Sequence, residues 1–185
     1  ETLPFSDNVN NATSTYWYPD STWAMSPEAN HGAGGGSAWS DTPGTAYLYQ
    51  SSSSLRSQRR FDLSGVTDPE LSFWHRRDLA AGDGVYAEIS TDLGETWSMI
   101  WTYQHQASGT HPEAPDSTGS ANLPLTEFNR QLAWERISIN MNAYKGAPFY
   151  LRFRVETDAV DVADGVWIDD IAIDGYTENA HTVPF

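Results

Sequence analysis

Hydrophobic and polar residues alternate wherever the chain shows a clear period. The alternation is plainest over residues 85–90, 134–139 and 149–155. Because successive side chains of a β-strand point to opposite faces, this period predicts strands with one buried and one exposed face. No window of about 12 residues follows the helical period of 3.6. The pattern therefore predicts an all-β chain.

Turn signals such as Asp83-Gly84, Lys145-Gly146 and Asp164-Gly165 separate the strands. Short strands with this spacing predict a two-sheet antiparallel β-sandwich, of either jelly-roll or immunoglobulin type. No domain boundary is visible, so we predict a single domain over residues 1–185. Three segments are predicted to be loops, namely residues 26–40, 51–54 and 104–129.

Composition fits a globular protein and limits its partners. Hydrophobic residues make up 39% of the chain, and no run of about 18 apolar residues is present to span a membrane as a helix. Asp and Glu number 25 against 10 Lys and Arg, for a net charge of −15. A nucleic acid binds through a basic surface, so this balance argues against it as a partner. The acidic excess either serves solubility or collects divalent cations.

Catalytic signatures are missing from the sequence. There is no cysteine, no Gly-x-Ser-x-Gly turn and no pair of histidines at the spacing of a zinc protease. Glu88 and Asp92 could suggest a glycosidase pair, but they run from a strand into a turn, which favours a structural role at the surface. We therefore predict that the chain is not an enzyme.

A dense acidic cluster lies near the C-terminus. Six aspartates fall within 17 residues: Asp158, Asp161, Asp164, Asp169, Asp170 and Asp174. Their spacing is not that of an EF-hand loop. Carboxylates this close repel one another, and a buried one is costly unless it is paired or bound to a metal, so we expect a calcium ion. The alternative is a solvated loop in which Asp169 or Asp170 binds backbone amides at a bend in the strand.

Aromatic residues are frequent in the loop-rich N-terminal region. Trp17 is flanked by Tyr16 and Tyr18, and Trp23 follows. Exposed rings of this kind can stack on the apolar C–H face of a sugar. Trp17, Trp23 and Tyr18 are therefore candidate carbohydrate-binding residues, and the alternative is that they pack in the core.

Several motifs, taken in order, resemble a known family over residues 14–175. They include Trp39-Ser40-Asp41-Thr42-Pro43-Gly44, Leu71-Ser72-Phe73-Trp74-His75, Leu151-Arg152-Phe153-Arg154 and Asp164-Gly165-Val166-Trp167-Ile168-Asp169-Asp170-Ile171. In this order the chain resembles the MAM-like jelly-roll module found beside immune-inhibitor-A-type secreted metallopeptidases and in related prokaryotic surface proteins.

The resemblance implies a jelly roll, an extracellular setting, an accessory role without catalysis, and bound calcium. Asp169 and Asp170 match the Asp-Asp of the family's last strand, Asp158 the aspartate after its Arg-Phe-Arg strand, and Asp41 that of Trp-Ser-Asp. Asp7 matches an acidic first strand only loosely. Together with the acidic cluster, the expected calcium ligands are Asp7, Asp41, Asp158, Asp164, Asp169 and Asp170.

The leading hypothesis is a secreted, calcium-stabilised module for adhesion or surface assembly. Its partner would be a protein or glycan at the cell surface, or further copies of itself. One alternative is a carbohydrate-binding module. Another is a filament subunit whose ends, residues 1–5 and 181–185, pair with the sheet edge of a neighbouring copy.

Overall fold

The computed structural model describes residues 3–10, 14–20, 22–32, 36–104 and 130–177. These residues form eleven strands and one short 3-10 helix, at Asn142–Tyr144. The strands are β1 Phe5–Asp7, β2 Trp17–Pro19, β3 Ala24–Ser26, β4 Ala38–Ser40, β5 Ser52–Ser57, β6 Val66–Asp78, β7 Gly84–Ser90, β8 Ser98–Gln104, β9 Arg130–Asn140, β10 Tyr150–Glu156 and β11 Gly165–Thr177.

The strands form two antiparallel sheets. The first has the order β3-β4-β11-β6-β9, and β1 also pairs with β11. The second has the order β2-β5-β10-β7-β8. This architecture confirms the predicted all-β sandwich. No helix in the described ranges is long and apolar enough to cross a membrane.

The three segments with the clearest alternation lie in strands β7, β9 and β10, as predicted. Of the loop predictions, that for 51–54 is wrong, and that for 26–40 holds for the described residues between its two ends, which lie in strands. The serine run 51–54 enters strand β5, where the buried Ser57 hydroxyl accepts a hydrogen bond from the Leu151 amide at 3.0 Å. Segment 26–40 contains the end of β3 and all of β4. In the third segment Gln104 ends β8, and residues 105–129 lie outside the described residues.

The main core fills the space between the sheets. Phe73 of β6 meets Phe153 of β10 edge to face, with ring centroids 4.9 Å apart, so the two sheets are joined by direct aromatic contact. The largest fully buried side chains include Trp17, Phe61, Phe73, Phe149, Phe153, Leu55, Leu71, Leu151, Ile168 and Ile171. Burial of side chains from both sheets makes the sandwich one packed unit.

A second, smaller apolar cluster lies on the outer face of the first sheet. Ala29, Ala38 and Trp167 are buried there, with Trp134 packed against them. The Trp134 indole donates a hydrogen bond to the Asn30 carbonyl at 3.1 Å. The chain between β3 and β4 therefore covers part of this face with its own residues.

A β-bulge accounts for the Asp-Asp pair in strand β11. Ile168 and Ile171 both enter the core, although three positions separate them. The register shifts between Asp169 and Ala172, and Asp170 has a φ of 45°. The extra residue is accommodated at the bulge, so neither aspartate occupies a core position between the sheets.

The chain ends, for which we predict pairing with a neighbouring copy, lie largely outside the described residues. In the described part, β1 already pairs with β11 of its own sheet, with Phe5 opposite Ile173. Self-assembly through the ends stays a prediction.

Candidate functional site

Charged and aromatic side chains line the outer face of the second sheet. The register places Tyr18 opposite Arg56, Arg56 opposite Arg152, and Arg152 opposite Glu88, in one row across four strands. Residues two positions away on a strand share the same face. We call this set the arginine–aromatic face; it comprises Tyr18, Arg56, Tyr86, Glu88, Trp97, Tyr150, Arg152 and Arg154.

Glu88 is the centre of an ion-pair network on this face. Its carboxylate accepts hydrogen bonds from Arg152 Nε at 2.6 Å and from Arg154 Nε at 3.0 Å and Nη2 at 3.1 Å. Arg154 also donates to Glu156 at 2.6 Å. Burial alone would raise the pKa of the Glu88 carboxyl, but the hydrogen bonds from Arg154 and Arg152 outweigh burial and lower this pKa. Glu88 is therefore ionised and holds both arginines in place.

Each arginine of the face also lies over an aromatic ring. The guanidinium carbon of Arg152 is 4.1 Å from the ring centroid of Trp97, and that of Arg154 is 4.3 Å from Tyr86. Arg56 lies over two rings, 5.8 Å from Tyr18 and 5.1 Å from Tyr150. Cations within about 6 Å of a ring centroid are attracted to the ring. The rings and the arginines therefore fix one another's positions.

Exposed aromatic and apolar side chains lie on the face and at its border. Tyr18 is 57% exposed at one side of the sheet, and Met99, opposite Glu88 at the other side, is 54% exposed. Between them lie the held guanidinium groups. The rings can contact the apolar side of a ligand, and the guanidinium N–H groups can donate to its oxygen atoms. This combination suits a polar ligand that also has C–H surfaces.

The prediction of carbohydrate-binding residues is wrong for two of the three, Trp17 and Trp23. Trp17 is 2% exposed and donates its indole N–H to Asp7 at 2.8 Å, and Trp23 is 3% exposed and donates to Ser53 at 3.1 Å. Both rings pack in the core, Trp17 from β2 and Trp23 from the position directly before β3. Tyr18, the neighbour of Trp17 on the other side of β2, does lie on the arginine–aromatic face.

Asp169 and Asp170 tie strand β11 to the segment before β4. Asp169 is fully buried and accepts hydrogen bonds from the amides of His31 at 2.9 Å and Asp170 at 2.7 Å. Burial raises the pKa of the Asp169 carboxyl to about 6. Asp170 pairs with His31 at 2.7 Å, and the His31 ring stacks on Trp74 with centroids 3.7 Å apart. The pair therefore binds backbone amides and a histidine.

Asp41 lies buried directly after β4. Its Oδ1 accepts a hydrogen bond from the Val166 amide at 2.7 Å, whereas its Oδ2 and the Ser40 hydroxyl are buried and form no hydrogen bond with any residue that the structure describes. Burial raises the pKa of the Asp41 carboxyl to about 7, against the opposing effects of the Val166 amide, the Asp41 amide and the Thr42 side chain. Unpartnered buried oxygen atoms are the kind of donor that a hard cation such as calcium binds.

The other three predicted calcium ligands have different surroundings. Asp7 accepts hydrogen bonds from Ser14 and Trp17. Asp158 accepts one from the Val160 amide at 2.7 Å, and Asp164 is exposed. Among the residues that the structure describes, no group of three or more His, Cys, Asp or Glu side chains is placed to hold a metal ion. Calcium binding stays a prediction, with Asp41 as its best-supported ligand.

Sequence reasoning missed most of the arginine–aromatic face. A signal was present in β10, where the residues that alternate with the core are Tyr150, Arg152, Arg154 and Glu156. An outer face that carries arginine and tyrosine at every second position differs from an ordinary solvated face of serine, threonine and lysine. The sequence could not reveal that Glu88 and Trp97 meet this row, because that depends on the lateral order of the strands.

No protein-family model matches the chain, and no curated protein matches it in sequence. The MAM-like resemblance therefore stays a prediction.

Solved structures resemble the chain in fold. The K2 cleaved adhesin domain of Lys-gingipain has a TM-score of 0.54 at 13% identity, covering 92% of this chain and 97% of the domain. A non-crystalline cellulose specific carbohydrate-binding module, CBM28, has a TM-score of 0.53 at 13% identity, covering 94% of each chain. CBM27-1 of Caldicellulosiruptor saccharolyticus, in complex with mannohexaose, has a TM-score of 0.52 at 10% identity, covering 94% of this chain and 98% of that one. The chain is a jelly-roll β-sandwich with the fold of carbohydrate-binding modules and adhesin domains.

Proposed function

We propose that the chain is a non-catalytic binding module that holds a glycan on the arginine–aromatic face. One observation carries the proposal: the outer face of the second sheet presents four aromatic rings, Tyr18, Tyr86, Trp97 and Tyr150, each within 6 Å of a guanidinium group. Sugars have apolar C–H faces and a rim of hydroxyl groups, so rings beside N–H donors match both parts of their surface.

The fold agrees with this function without establishing it. One structural relative is named for cellulose and another holds mannohexaose. A fold of this kind hosts many functions, so the proposal depends on the residues of the face. The ion pairs of Glu88 with Arg152 and Arg154 fix the donors before a ligand arrives, which reduces the entropy lost on binding.

The biological role of this binding would be adhesion. A third structural relative is an adhesin domain. We place the module outside the cell, where it would attach to a glycan of a surface or of a polymer. The proposal needs no reaction at the face, because the carboxylate at its centre is fully engaged by two arginines.

Two tyrosines of equal exposure provide a matched test. Tyr18, at 57% exposure, lies on the face, and Tyr49, at 56%, lies in the loop before β5. We expect Tyr18→Ala to weaken the binding of a glycan identified on an array by about fivefold to tenfold, since an exposed contact ring contributes on the order of 1 kcal/mol. Titration calorimetry measures the affinity.

Tyr49→Ala is the control and should bind like the wild type. An array without any binder at millimolar glycan would contradict the proposed function. An equal loss of glycan affinity in both tyrosine variants would show that the glycan does not bind on the arginine–aromatic face.

We further propose that calcium stabilises the fold, with Asp41 among its ligands. The support is a pair of buried oxygen atoms beside the start of β11, Asp41 Oδ2 and Ser40 Oγ, for which the described part of the chain offers no hydrogen-bond partner. In this role the ion would offset the burial of an ionised carboxylate and would take no part in glycan chemistry.

A further inference from the structure

We propose that the arginine–aromatic face selects anionic glycans, and that Arg56 binds the carboxylate or sulfate group of the sugar. This inference rests on the proposed function and narrows it to a class of ligand. The structural relatives named above are associated with cellulose and with mannohexaose, both of which are neutral. The inference therefore comes from this chain's own charges.

The three arginines of the face differ in their ion pairs. Arg152 and Arg154 share the Glu88 carboxylate, and Arg154 also pairs with Glu156. Arg56 has neither an ion pair nor a hydrogen bond from its guanidinium group to any described residue; its contacts are the rings of Tyr18 and Tyr150. Of the three guanidinium groups on the face, Arg56 is thus the one that forms no ion pair with a carboxylate of the described residues.

Among the described residues, neither Asp92 nor Glu95 of the acidic turn beside Arg56 forms an ion pair with it. Gly94 lies close to this side chain, since a Cβ there would be 3.6 Å from Arg56 Nη1. In the same turn, the Asp92 carboxylate accepts hydrogen bonds from the Ser90 hydroxyl at 2.8 Å and the Thr96 amide at 3.0 Å. The hydrogen bond from the Thr96 hydroxyl, together with those from the Thr96 amide and the Ser90 hydroxyl, lowers the pKa of the Asp92 carboxyl to about 2, so this carboxylate is ionised and its oxygen atoms are bound within the turn.

Arg56 is positioned to receive an anion. It lies in the central row of the face, between Tyr18 on β2 and Arg152 on β10. Its planar N–H donors match the oxygen atoms of a carboxylate or a sulfate, which can accept two parallel hydrogen bonds. A sugar that stacks on Tyr18 or Tyr150 would carry its anionic group beside this guanidinium.

The ordinary role of a surface arginine is to interact with water. Two contacts argue against that role for Arg56. The rings of Tyr18 and Tyr150 both lie within cation–π range, so the side chain is held rather than free. A held cation surrounded by rings is partly desolvated, which strengthens its attraction to an anion.

The test compares glycans that differ only in charge. An array should contain oligogalacturonate and its fully methyl-esterified form, and a sulfated galactan oligosaccharide with its desulfated form. Calorimetry in 150 mM NaCl then gives affinities for the wild type and for Arg56→Gln. We expect at least one anionic member to bind about tenfold or more tighter than its neutral partner, as a charge-assisted hydrogen bond predicts. Arg56→Gln should abolish that preference.

The matched control is Arg136→Gln, which removes the same charge from the outer face of the first sheet, where Arg136 pairs with Glu70. This variant should keep the preference. The carboxylate pair and the sulfate pair of glycans identify which anion the site takes. A thermal melt of Arg56→Gln close to that of the wild type shows that the variant is folded.

The outcomes separate the two proposals. Neutral glycans bound as well as anionic ones, or a preference that survives Arg56→Gln, would overturn the selection of anions and leave glycan binding in place. An array with no binder of either kind would overturn both.

Discussion

At the scale of single residues, the core of the sandwich contains a histidine and an arginine. His75 and Arg77 both point inward from β6 and are almost fully buried. His75 Nε2 is 3.2 Å from Arg77 Nη1 and 3.4 Å from a Glu135 oxygen, and Arg77 lies 3.7 Å over the Tyr103 ring. Burial lowers the pKa of His75 to about 4, and the Arg77 charge acts in the same direction. The imidazole is therefore neutral at pH 7.

This pKa predicts a loss of stability in mild acid. The unfolded chain protonates His75 near the ordinary histidine pKa of 6.5, whereas the folded chain does so only near 4. As pH falls through this window, the unfolded state binds the extra proton and gains up to about 1.4 kcal/mol per pH unit. Denaturant unfolding between pH 7 and pH 4.5 measures the effect.

The matched variant is His75→Gln, which has no titrating group at this position and should lose less stability over the same interval. The comparison with the variant is needed because the raised pKa values of Asp41 and Asp169 act in the opposite direction. Parallel pH profiles for the wild type and the variant would show that His75 is not the cause.

At the scale of elements, strand β11 begins at a glycine for a steric reason. Gly165 has a φ of 97°, and a Cβ there would lie 2.2 Å from Asp41 Oδ1. The same Asp41 oxygen accepts the hydrogen bond of the next amide, that of Val166. Close approach of the carboxylate and the backbone thus fixes where β4 ends relative to β11.

A glycine pair tests this arrangement. We expect Gly165→Ala to lower the free energy of unfolding by about 2 kcal/mol or more, because it combines an unfavourable φ with a steric overlap. Gly146→Ala is the control, since nothing lies within 4 Å of a Cβ at that position and its φ is not positive. Equal stability of the two variants in denaturant unfolding would refute this explanation.

At the scale of the whole molecule, the chain carries its acidic excess partly by using aspartates as structural acceptors. Asp7, Asp41 and Asp169 are buried, and each accepts a backbone amide. A buried carboxylate bound to amides costs less than an unpaired one, but one oxygen of Asp41 accepts no hydrogen bond from the residues described. Calcium is the proposed partner of that oxygen.

Removal of calcium should therefore lower the melting temperature. A ligand present at about 100 times its Kd stabilises the native state by about 2.7 kcal/mol, or roughly 5 to 10 °C for a chain of this size. Thermal melts in EDTA and in excess calcium measure the difference, and Asp41→Asn should reduce it. Identical melts, with no metal found by elemental analysis, would contradict calcium binding.

The features that the sequence predicts are those that depend on residues close together in the chain. Strands β7, β9 and β10 are visible as alternation, because burial of one face requires it locally. Strand β5 is not visible, because serine has little preference for strands. Its place depends on Leu55 entering the core and on the register of β5 with β10.

The candidate site could be predicted only in part. The sequence identifies Tyr18, but it assigns the neighbouring Trp17 and Trp23 to the wrong environment. The identity of an aromatic residue does not show whether its side chain faces the core or the solvent. Register with β5 is what separates Tyr18 from Trp17.

By itself, the sequence determined the strands with clear alternation, the all-β class and the acidic charge, since each depends on residue type and local order. Only the tertiary structure decided that Arg56, Glu88 and Arg152 form one row, and that Asp169 binds the amide of His31. These contacts join residues far apart in the chain. They follow from the lateral order and register of the strands, which the packing of the whole core selects.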